Sequence, residues 1–515
     1  MHIQSIISQH FAQIADLVRM HAGADGSRLA LANPAERLTY SELDAFMDRV
    51  AAALQRDGIV AGHTIAICGE PSPRYAALYL GALRAGVVVA PLAPGLTAES
   101  FRRMLENCEA KVLFIDATIS DLAAKASSDG GLDGMRQVRF DDSAELERWL
   151  GNTDANPFHL ELPPDAPFNI IYSSGTTGEP KGIVQSHGMR WAHVQRALPF
   201  GYEPGKITLL ATPLYSNTTL ITFFPSVAFG HTIWLMRKFD ARAYLELAVR
   251  VRATHTVLVP VQYQRIMAVP DFGVHELSSF EYKFSTSAPF SAQLKADVLA
   301  RWPGGLVEFY GMTEGGGTCM LEAHRFPDKL HTVGRPVSTS DIRLIDDQGL
   351  AVAPGDAGEI VGHSPGMMTG YHRAPSQTRE VEWHDSLGKR FIRTGDVGRF
   401  DADGFLTLVD RKKDVIISGG FNIYPSDLEA VLREHPAVQE AAVVGVPCEQ
   451  WGETPVAFVV LRGTSDIEAE ALRAWANQRV GKTQRLANLR ITRELPRSEI
   501  GKVLKRELRA AYLRA

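Results

Sequence analysis

A loop rich in hydroxyl groups and glycine follows the apolar run Ile170-Ile171-Tyr172 and carries a single lysine. Glycine allows backbone N–H groups to converge on an anion, the hydroxyls add hydrogen-bond donors, and the lysine supplies a positive charge. Such a loop suits the polyphosphate of a nucleotide. It is not the GxxxxGK[ST] phosphate loop, because Pro180 precedes the lysine and Gly182 follows it. The candidate phosphate-binding residues are Ser173, Ser174, Gly175, Thr176, Thr177, Gly178 and Lys181.

Further short motifs occur along the chain, before and after this loop. They are LTYSEL (38–43), SAP (287–289), YGMTE (310–314), GEI (358–360), GY (370–371), TGD (394–396), DRKKD (410–414), SGGFNIYP (418–425) and LPRSEIGK (495–502). Taken singly, a TGD turn or a lone arginine favours an ordinary structural role. In this order and together with the loop, the set resembles the adenylate-forming superfamily. That superfamily includes acyl-CoA synthetases, aryl-CoA ligases, luciferases and peptide-synthetase adenylation domains, and the resemblance covers most of the chain.

The resemblance implies an ATP-dependent acid–thiol ligase that uses ATP, Mg²⁺ and CoA. It would convert a carboxylic acid and ATP to an acyl-adenylate and pyrophosphate, and would then transfer the acyl group to CoA and release AMP. The first step depends on holding the phosphates and neutralising the charge that develops on them. Glu314 is the expected Mg²⁺ ligand, because Mg²⁺ prefers one or two carboxylates plus phosphate oxygens, and Thr177 is a second candidate. The catalytic candidates are Lys502, Thr177, Lys181 and Glu314.

The same motifs imply the nucleotide contacts. Tyr310 would stack on adenine against the backbone of residues 287–289, and Thr313 would bond the α-phosphate. Asp396 and Arg411 would bond the ribose hydroxyls. Lys502 would contact the substrate carboxylate and the α-phosphate during adenylation only. Beyond the loop, the implied ATP- and AMP-binding residues are Ser287, Ala288, Pro289, Glu308, Phe309, Tyr310, Gly311, Met312, Thr313, Asp396, Arg411 and Lys502.

The pattern of predicted strands, turns and helices changes near residues 411–414, and this change predicts a domain boundary. The resemblance implies an AMP-binding adenylation domain over 1–410 and a mobile C-terminal domain over 411–515. The resemblance makes Lys413 the hinge residue, and a hinge need not be a small residue. The small domain would adopt one pose for adenylation and rotate for thioester formation. In the second pose the pantetheine of CoA would pass residues whose small side chains permit close approach. These CoA-binding candidates are Ser418, Gly419 and Gly420.

The acyl pocket is the least specified part of the predicted site. Ser216 stands where relatives often carry a histidine near the acyl group, and three glycines follow Glu314 directly. Both features remove side-chain volume, so a bulky aryl acid or a medium-to-long acyl acid is expected to be preferred to acetate. The opposite interpretation is that the glycines only permit a tight turn. The candidate pocket residues are Tyr215, Ser216, Gly315, Gly316 and Gly317.

Two other functions compete with an acyl-CoA synthetase. A stand-alone adenylation enzyme would load the pantetheine of a carrier protein, and consumption of free CoA separates the two. A nucleotide-binding pseudoenzyme is a third possibility, but the presence of Lys181, Glu314 and Lys502 argues against it. Cys319 follows the YGMTE motif closely, yet it is interpreted as a small buried hydrophobe because CoA supplies the thiol.

Bulk composition excludes several classes of protein. The 515 residues carry a formal net charge of -5, which gives no reason to expect nucleic acid as a partner. No apolar run is long enough to span a membrane, and the N-terminus lacks a signal-peptide pattern. The four cysteines form no CxxC pair, which fits a reducing cytoplasm. The resemblance implies small-molecule partners, namely a carboxylic acid, ATP and CoA, and a homodimer is left open.

The elements that must position these residues alternate between helical and strand patterns. Predicted helices at 43–54 and 75–85 alternate with strands at 64–68 and 87–90, the last stopped by Pro91. This alternation indicates an α/β fold with parallel sheets. A second α/β stretch follows a surface connection at 151–166, and residues 340–410 resemble a β-rich subdomain. A small α+β domain completes the chain, with predicted helices at 425–434 and 466–480.

Overall fold

The structure is a computed structural model that describes residues 3–128, 135–151, 156–173, 181–412, 414–418, 421–463, 465–481, 484–498 and 501–514. The chain forms two compact units. The first contains Met1–Leu330, Pro336–Asp341 and Gly362–Ile392, and the second contains His331–Arg335, Ile342–Val361 and Arg393–Ala515. Both units are α/β in character, so the predicted fold class is confirmed.

The strands, in chain order, are β1 Leu29–Ala32, β2 Arg37–Thr39, β3 Thr64–Cys68, β4 Val88–Leu92, β5 Val112–Ile115, β6 Arg136–Arg139, β7 Pro167–Ser173, β8 Lys181–Ser186, β9 Ile207–Leu210, β10 Thr232–Leu235, β11 His255–Leu258, β12 Tyr282–Ser285, β13 Gly305–Tyr310, β14 Cys319–Glu322, β15 Arg335–Pro336, β16 Asp341–Ile345, β17 Gly358–His363, β18 Gly370–Tyr371, β19 Glu382–His384, β20 Arg390–Phe400, β21 Leu406–Arg411, β22 Ile416–Ser418, β23 Phe421–Ile423, β24 Val438–Cys448, β25 Gly452–Leu461 and β26 Asn488–Ile491.

The α-helices are α1 Ile3–Ile7, α2 Ile14–Asp25, α3 Tyr40–Arg56, α4 Pro73–Arg84, α5 Ala98–Cys108, α6 Ser120–Ser128, α7 Ser143–Leu150, α8 His187–Arg196, α9 Asn217–Phe229, α10 Ala241–Val251, α11 Pro260–Met267, α12 Ala292–Arg301, α13 Pro375–Glu380, α14 Pro425–Glu434, α15 Ala469–Asn477 and α16 Lys505–Leu513. Across the described residues, no helix combines the length and apolar character needed to cross a bilayer.

Two large sheets form the framework of the first unit. In one sheet the strand order includes β14-β13-β12-β11-β9-β10-β1-β2, and the pairs from β1 and β10 through β9, β11, β12 and β13 are all parallel. The other sheet has the order β18-β8-β7-β4-β3-β5-β6, with β8 antiparallel to β7. The largest cluster of buried apolar side chains joins residues of both sheets with helices α2, α3, α4, α8 and α9.

Strand β4 continues past the predicted stop. Pro91 lies inside it and is the register partner of Ile67 in β3, so the expectation that Pro91 ends the strand is wrong. Proline fixes φ near −65°, which an extended strand tolerates, and it removes only one N–H from the ladder. The strand therefore ends one residue later, at Leu92.

Side-chain caps fix the starts of the helices that matter for the site. Thr39 and Glu42 form a capping box at α3, in which Thr39 N donates to Glu42 Oε2 at 2.8 Å. Ser186 caps α8 by accepting from Met189 N at 3.1 Å, so α8 begins at His187. Ser216 caps α9 in a similar way, with its side chain accepting from Thr218 N.

The second unit ends in a small α+β sheet domain. Its sheet has the order β23-β22-β25-β24, with β26 parallel to β25. One apolar cluster joins this sheet to α14 and α15, and another joins it to α16. The predicted helix at 425–434 matches α14, whereas the helix predicted for 466–480 is shorter and spans Ala469–Asn477.

Candidate functional site

Three predicted segments of the first unit lie at one edge of a sheet. Strands β9, β12 and β13 belong to one parallel array, so the residues that follow them emerge at the same side. Tyr215 and Ser216 come after β9, residues 287–289 after β12, and Gly311 to Glu314 after β13. The topology therefore brings the predicted acyl and nucleotide segments to one carboxyl edge.

Ser287 occupies a rare backbone conformation at this edge. Its φ of 79° lies in the left-handed region, which is uncommon for a residue other than glycine. Its hydroxyl makes a short hydrogen bond to the hydroxyl of Thr218 in the first turn of α9. The sequence did not indicate Thr218, since nothing local marks a contact with a residue 69 positions away.

Tyr371 links Lys181 to Glu314. The Lys181 ammonium lies 5.3 Å from the centroid of the Tyr371 ring, and the Tyr371 hydroxyl donates to Glu314 Oε1 at 2.9 Å. Tyr371 and Glu314 are both buried. Burial, followed by the negative charge of Glu314, raises the pKa of Tyr371, so the phenol keeps its proton as a donor. The loop lysine and the YGMTE carboxylate thus contact the same tyrosine, the lysine over its ring and the carboxylate at its hydroxyl.

The backbone after Glu314 is folded tightly against residues 362–368. Gly315 and Gly316 have φ values of 75° and 87°, and Met368 N donates to Glu314 O at 2.8 Å. A Cβ on Gly315 would collide with Gly366 O, and one on Gly316 would approach Gly362 O at 3.0 Å. Neighbouring backbone therefore lies where the side chains of these two positions would be. The expectation that Gly315 and Gly316 leave free volume for the acyl group is wrong, because the two glycines permit a tight turn instead.

Ser216 has a structural task that the sequence comparison did not reveal. It is buried, and its hydroxyl accepts from Thr218 N at 3.3 Å as the N-cap of α9. Tyr215 precedes it in a turn and is partly exposed. Ser216 therefore sets where α9 begins and so positions Thr218, besides occupying the place of the usual histidine.

Strand β13 carries three predicted residues with different surroundings. Glu308 is buried and pairs with Lys295 at 2.5 Å, and burial raises the pKa of its carboxyl to about 6. Its carboxylate therefore takes part in a buried ion pair with α12. Phe309 packs against Phe284, and Tyr310 ends the strand opposite Cys319. Cys319 is fully buried, and burial raises the pKa of its thiol, as expected for a residue that is not a nucleophile.

The second unit holds the remaining described candidates. Asp396 in β20 and Arg411 in β21 are register partners, and Arg411 Nε lies 3.1 Å from Asp396 Oδ1. Both side chains therefore lie close enough together to hydrogen-bond two neighbouring hydroxyl groups of one ligand. Ser418 ends β22. Lys502 lies before α16, where its N–H donates to Ser498 Oγ at 3.2 Å.

Several predicted residues lie outside the described residues. They are Ser174, Gly175, Thr176, Thr177, Gly178, Lys413, Gly419 and Gly420. Ser173 is described as the last residue of β7. The assigned roles of all these residues stay predictions.

Comparison with known proteins agrees with the architecture. The family model named AMP-binding enzyme matches residues 18–372, and the model named AMP-binding enzyme C-terminal domain matches residues 427–502. The indoleacetate–CoA ligase of Aromatoleum aromaticum is 32% identical over 519 residues, which cover 98% of each chain. A feruloyl-CoA synthase of an Amycolatopsis species is 33% identical over 480 residues, which cover 92% of this chain and 94% of the relative.

The solved structures include a fatty acyl CoA synthetase of Mycobacterium tuberculosis that matches with a TM-score of 0.78 and 28% identity, over 97% of this chain and 98% of that one. Fold and motifs define an adenylate-forming enzyme. The chain belongs to the AMP-binding enzyme family, and within it to the acyl-CoA synthetase-like enzymes. The class of enzyme predicted from the sequence is confirmed.

Proposed function

We propose that the enzyme joins a bulky aryl acid, or a medium-to-long acyl acid, to CoA with the cleavage of ATP to AMP and pyrophosphate. The observation that carries this proposal is the contact of Tyr371 with both Lys181, at the start of β8, and Glu314, which follows β13. This arrangement brings Lys181, which would bind phosphate, near Glu314, which would bind a divalent metal ion. Pyrophosphate release on adding ATP and an acid is its first test.

The first half-reaction forms one bond and breaks another at phosphorus. A carboxylate oxygen of the acid attacks the α-phosphorus of ATP, and the bond from that phosphorus to the bridging oxygen of pyrophosphate breaks. Lys181 and the hydroxyls of residues 173–177 would hold the leaving phosphates, and Thr313 would bond the α-phosphate. Lys502 would lie between two anions that must approach, which lowers their repulsion.

The second half-reaction releases AMP. The CoA sulfur attacks the carbonyl carbon of the acyl-adenylate as its thiol proton leaves, and the carbon–oxygen bond to AMP breaks. Ser418, Gly419 and Gly420 would line the pantetheine path, and Lys413 would be the hinge between domains 1–410 and 411–515. Asp396 and Arg411 would hold the ribose in both steps, which their pairing across β20 and β21 supports.

Glu314 fits a Mg²⁺ ligand by the chemistry of its carboxylate. Its Oε1 accepts from Tyr371, and no ion pair to a described lysine or arginine competes for the other oxygen. One carboxylate with phosphate oxygens and water is the donor set that Mg²⁺ prefers. When bound, Mg²⁺ would offset the charge that develops on the phosphates.

The proposed acid class is supported chiefly by the relatives, which are named for indoleacetate and ferulate. A panel of acids that includes indoleacetate, ferulate, octanoate, palmitate, propionate and acetate tests it through kcat/KM for AMP formation. We expect an aryl or longer acyl acid to lead, and the highest value for acetate or propionate would overturn the proposed class. Replacing CoA by a phosphopantetheinylated carrier protein tests the alternative acceptor, and exclusive transfer to the carrier would favour it.

A further inference from the structure

Arg190 in α8 is a cation buried completely within the first unit. Its guanidinium lies 5.4 Å from the ring centroid of Phe224 and 6.0 Å from that of Phe168. Burial lowers the pKa of Arg190 to about 10, so the group keeps its charge at neutral pH. Among the described residues, no carboxylate lies within ion-pair distance of it. A buried charge of this kind is tolerated only where hydrogen bonds replace water.

Three amide oxygens supply those hydrogen bonds. Arg190 Nε donates to Asn169 Oδ1 at 2.9 Å, Nη1 donates to Asn217 Oδ1 at 2.9 Å, and Nη2 makes a short hydrogen bond to Gln185 Oε1. A guanidinium presents its N–H groups in a rigid planar fork, so one group fixes the relative positions of all three acceptors. Because the donor is charged, these bonds are stronger than those between neutral groups.

The acceptors belong to three segments that carry the predicted chemistry. Asn169 in β7 and Gln185 in β8 are register partners on the two strands that flank the phosphate loop. Asn217 is the first residue of α9, next to its cap, Ser216. Gln185 extends the network, since its Nε2 donates to Thr313 O at 2.7 Å, directly before Glu314. Arg190 thus connects β7 and β8, which flank the phosphate loop, with α9 and, through Gln185, with the YGMTE motif.

We propose that Arg190 is a positioning residue for adenylation, acting through Gln185 to hold the Thr313–Glu314 backbone in register with the strands that flank the phosphate loop. The network explains why a charged side chain is buried at this position. An apolar side chain would avoid the cost of burying a charge, but it would leave the side-chain amides of Asn169, Gln185 and Asn217 without a shared donor. The inference rests on the adenylation reaction proposed above.

Gln185→Glu is the most selective variant. It keeps an oxygen for Arg190 but replaces by an acceptor the Nε2 group that donates to Thr313 O at 2.7 Å and to Asn217 Oδ1 at 3.4 Å. The new carboxylate would pair with Arg190, so the thermal unfolding midpoint should be kept or raised while adenylation falls. We expect kcat/KM for pyrophosphate release to drop about 10- to 100-fold, as when a support for a site residue is removed or a reacting group is misplaced by about 1 Å. Arg190→Met should show a similar loss together with a lower unfolding midpoint.

Lys283→Met is the matched control for Arg190→Met. Lys283 is also fully buried, and its Nζ is held by neutral oxygens of Trp302, Pro303 and Gly304 at 3.2, 2.6 and 2.7 Å. Its loss should lower the unfolding midpoint but leave kcat/KM of the folded enzyme within about twofold of the wild type, because surroundings remote from the reacting groups alter stability first. Thioester formation from a synthetic acyl-adenylate serves as the second readout and should change less than adenylation in Gln185→Glu.

The outcomes separate the two proposals. If the wild type releases no pyrophosphate with any acid, the proposed function fails before Arg190 is tested. If the wild type is active and Gln185→Glu keeps its kcat/KM, the positioning role is overturned. The role is also overturned if Gln185→Glu, like the control Lys283→Met, loses activity only in proportion to its loss of folded protein.

Discussion

At the scale of single residues, Glu314 is held through both its side chain and its backbone. Its Oε1 accepts from the Tyr371 hydroxyl at 2.9 Å, and its carbonyl accepts from Met368 N at 2.8 Å. Both partners come from the segment after β17, so side chain and backbone are held by the same stretch of chain. The carboxylate is therefore fixed in place before any ligand arrives.

We predict that Glu314→Gln lowers the rate of ATP-dependent pyrophosphate release by about 100-fold or more. The amide keeps the shape and removes the charge on which Mg²⁺ binding depends, and a metal with its ligand supplies several kcal/mol of transition-state stabilisation. Steady-state pyrophosphate release measured over a range of Mg²⁺ concentrations checks this.

Glu382→Gln is the matched control for this charge removal. Glu382 is partly buried and pairs with Arg390 at 2.7 Å, but it has no predicted role in the reaction. This variant should keep the wild-type Mg²⁺ dependence. A Glu314→Gln enzyme with near-normal pyrophosphate release would move the metal site to another residue.

At the scale of elements, the turn after Glu314 and the segment after β17 are packed backbone against backbone. Gly315 and Gly316 adopt positive φ. A Cβ on Gly315 would lie 1.8 Å from Gly366 O, and a Cβ on Gly316 would lie 3.0 Å from Gly362 O. Glycine is needed here for close approach and for the turn, and its role is therefore not to widen a pocket.

We predict that Gly315→Ala destabilises the enzyme more than Gly388→Ala does. Both glycines have φ values near 75–78°, but a Cβ on Gly388 meets nothing within 4 Å, whereas one on Gly315 collides with Gly366 O. The strain shared by both changes is about 1–2 kcal/mol, and the collision adds to it only at Gly315. Thermal unfolding of the two variants measures the difference. Equal unfolding midpoints would show that the 366 carbonyl can move aside.

At the scale of the whole molecule, the two half-reactions are predicted to use different poses of the C-terminal domain. Lys502→Ala should lose acyl-adenylate formation by about 100-fold or more, because a fixed cation between two anions is removed. It should keep CoA transfer from pre-made acyl-adenylate. Gly420→Leu should show the reverse, because a larger side chain obstructs the pantetheine path. Separate assays of the two half-reactions measure both effects.

Lys505→Ala is the control for the lysine change. Lys505 lies at the start of α16 and pairs with Glu429 at 2.8 Å, with no predicted part in either step. Both half-reactions should stay close to wild type in this variant. Equal loss of the two half-reactions in Lys502→Ala would mean that the lysine serves a single static site, and domain rotation would be abandoned.

Two buried histidines predict that the fold weakens in mild acid. Burial lowers the pKa of His187 and of His255 to about 4, from the ordinary value of 6.5. Between these values the unfolded chain binds protons that the folded chain does not, so stability falls as the pH drops from about 6.5 to about 4. Each histidine lowers the stability by at most about 3.5 kcal/mol over this range, since one pKa unit corresponds to about 1.4 kcal/mol.

His187→Leu tests this contribution. The ring of His187 packs against Phe168 at a centroid distance of 4.8 Å, so an apolar replacement suits its surroundings. The unfolding midpoint of the variant should fall less steeply between pH 6.5 and 4 than that of the wild type. Parallel curves for the two proteins would assign the acid sensitivity to other groups.

The sequence by itself determined the fold class, the enzyme class and most of the nucleotide motifs, because each motif is contiguous and its chemistry depends on neighbouring residues. Helix α14 and strand β3 were predicted with their observed bounds for the same reason, since their patterns are local. Strand β4 was predicted too short because a local rule for proline neglected the sheet around it.

Only the tertiary structure decided which side chains support those motifs. Tyr371 reaches Glu314 across 57 residues, Thr218 reaches Ser287 across 69, and Gln185 reaches Thr313 across 128. Arg190 in α8 has no local sign of burial, and Gly315 could equally have meant free volume or a tight turn. Such contacts depend on how strands and helices pack against one another. The types and spacing of residues along the chain do not specify this packing.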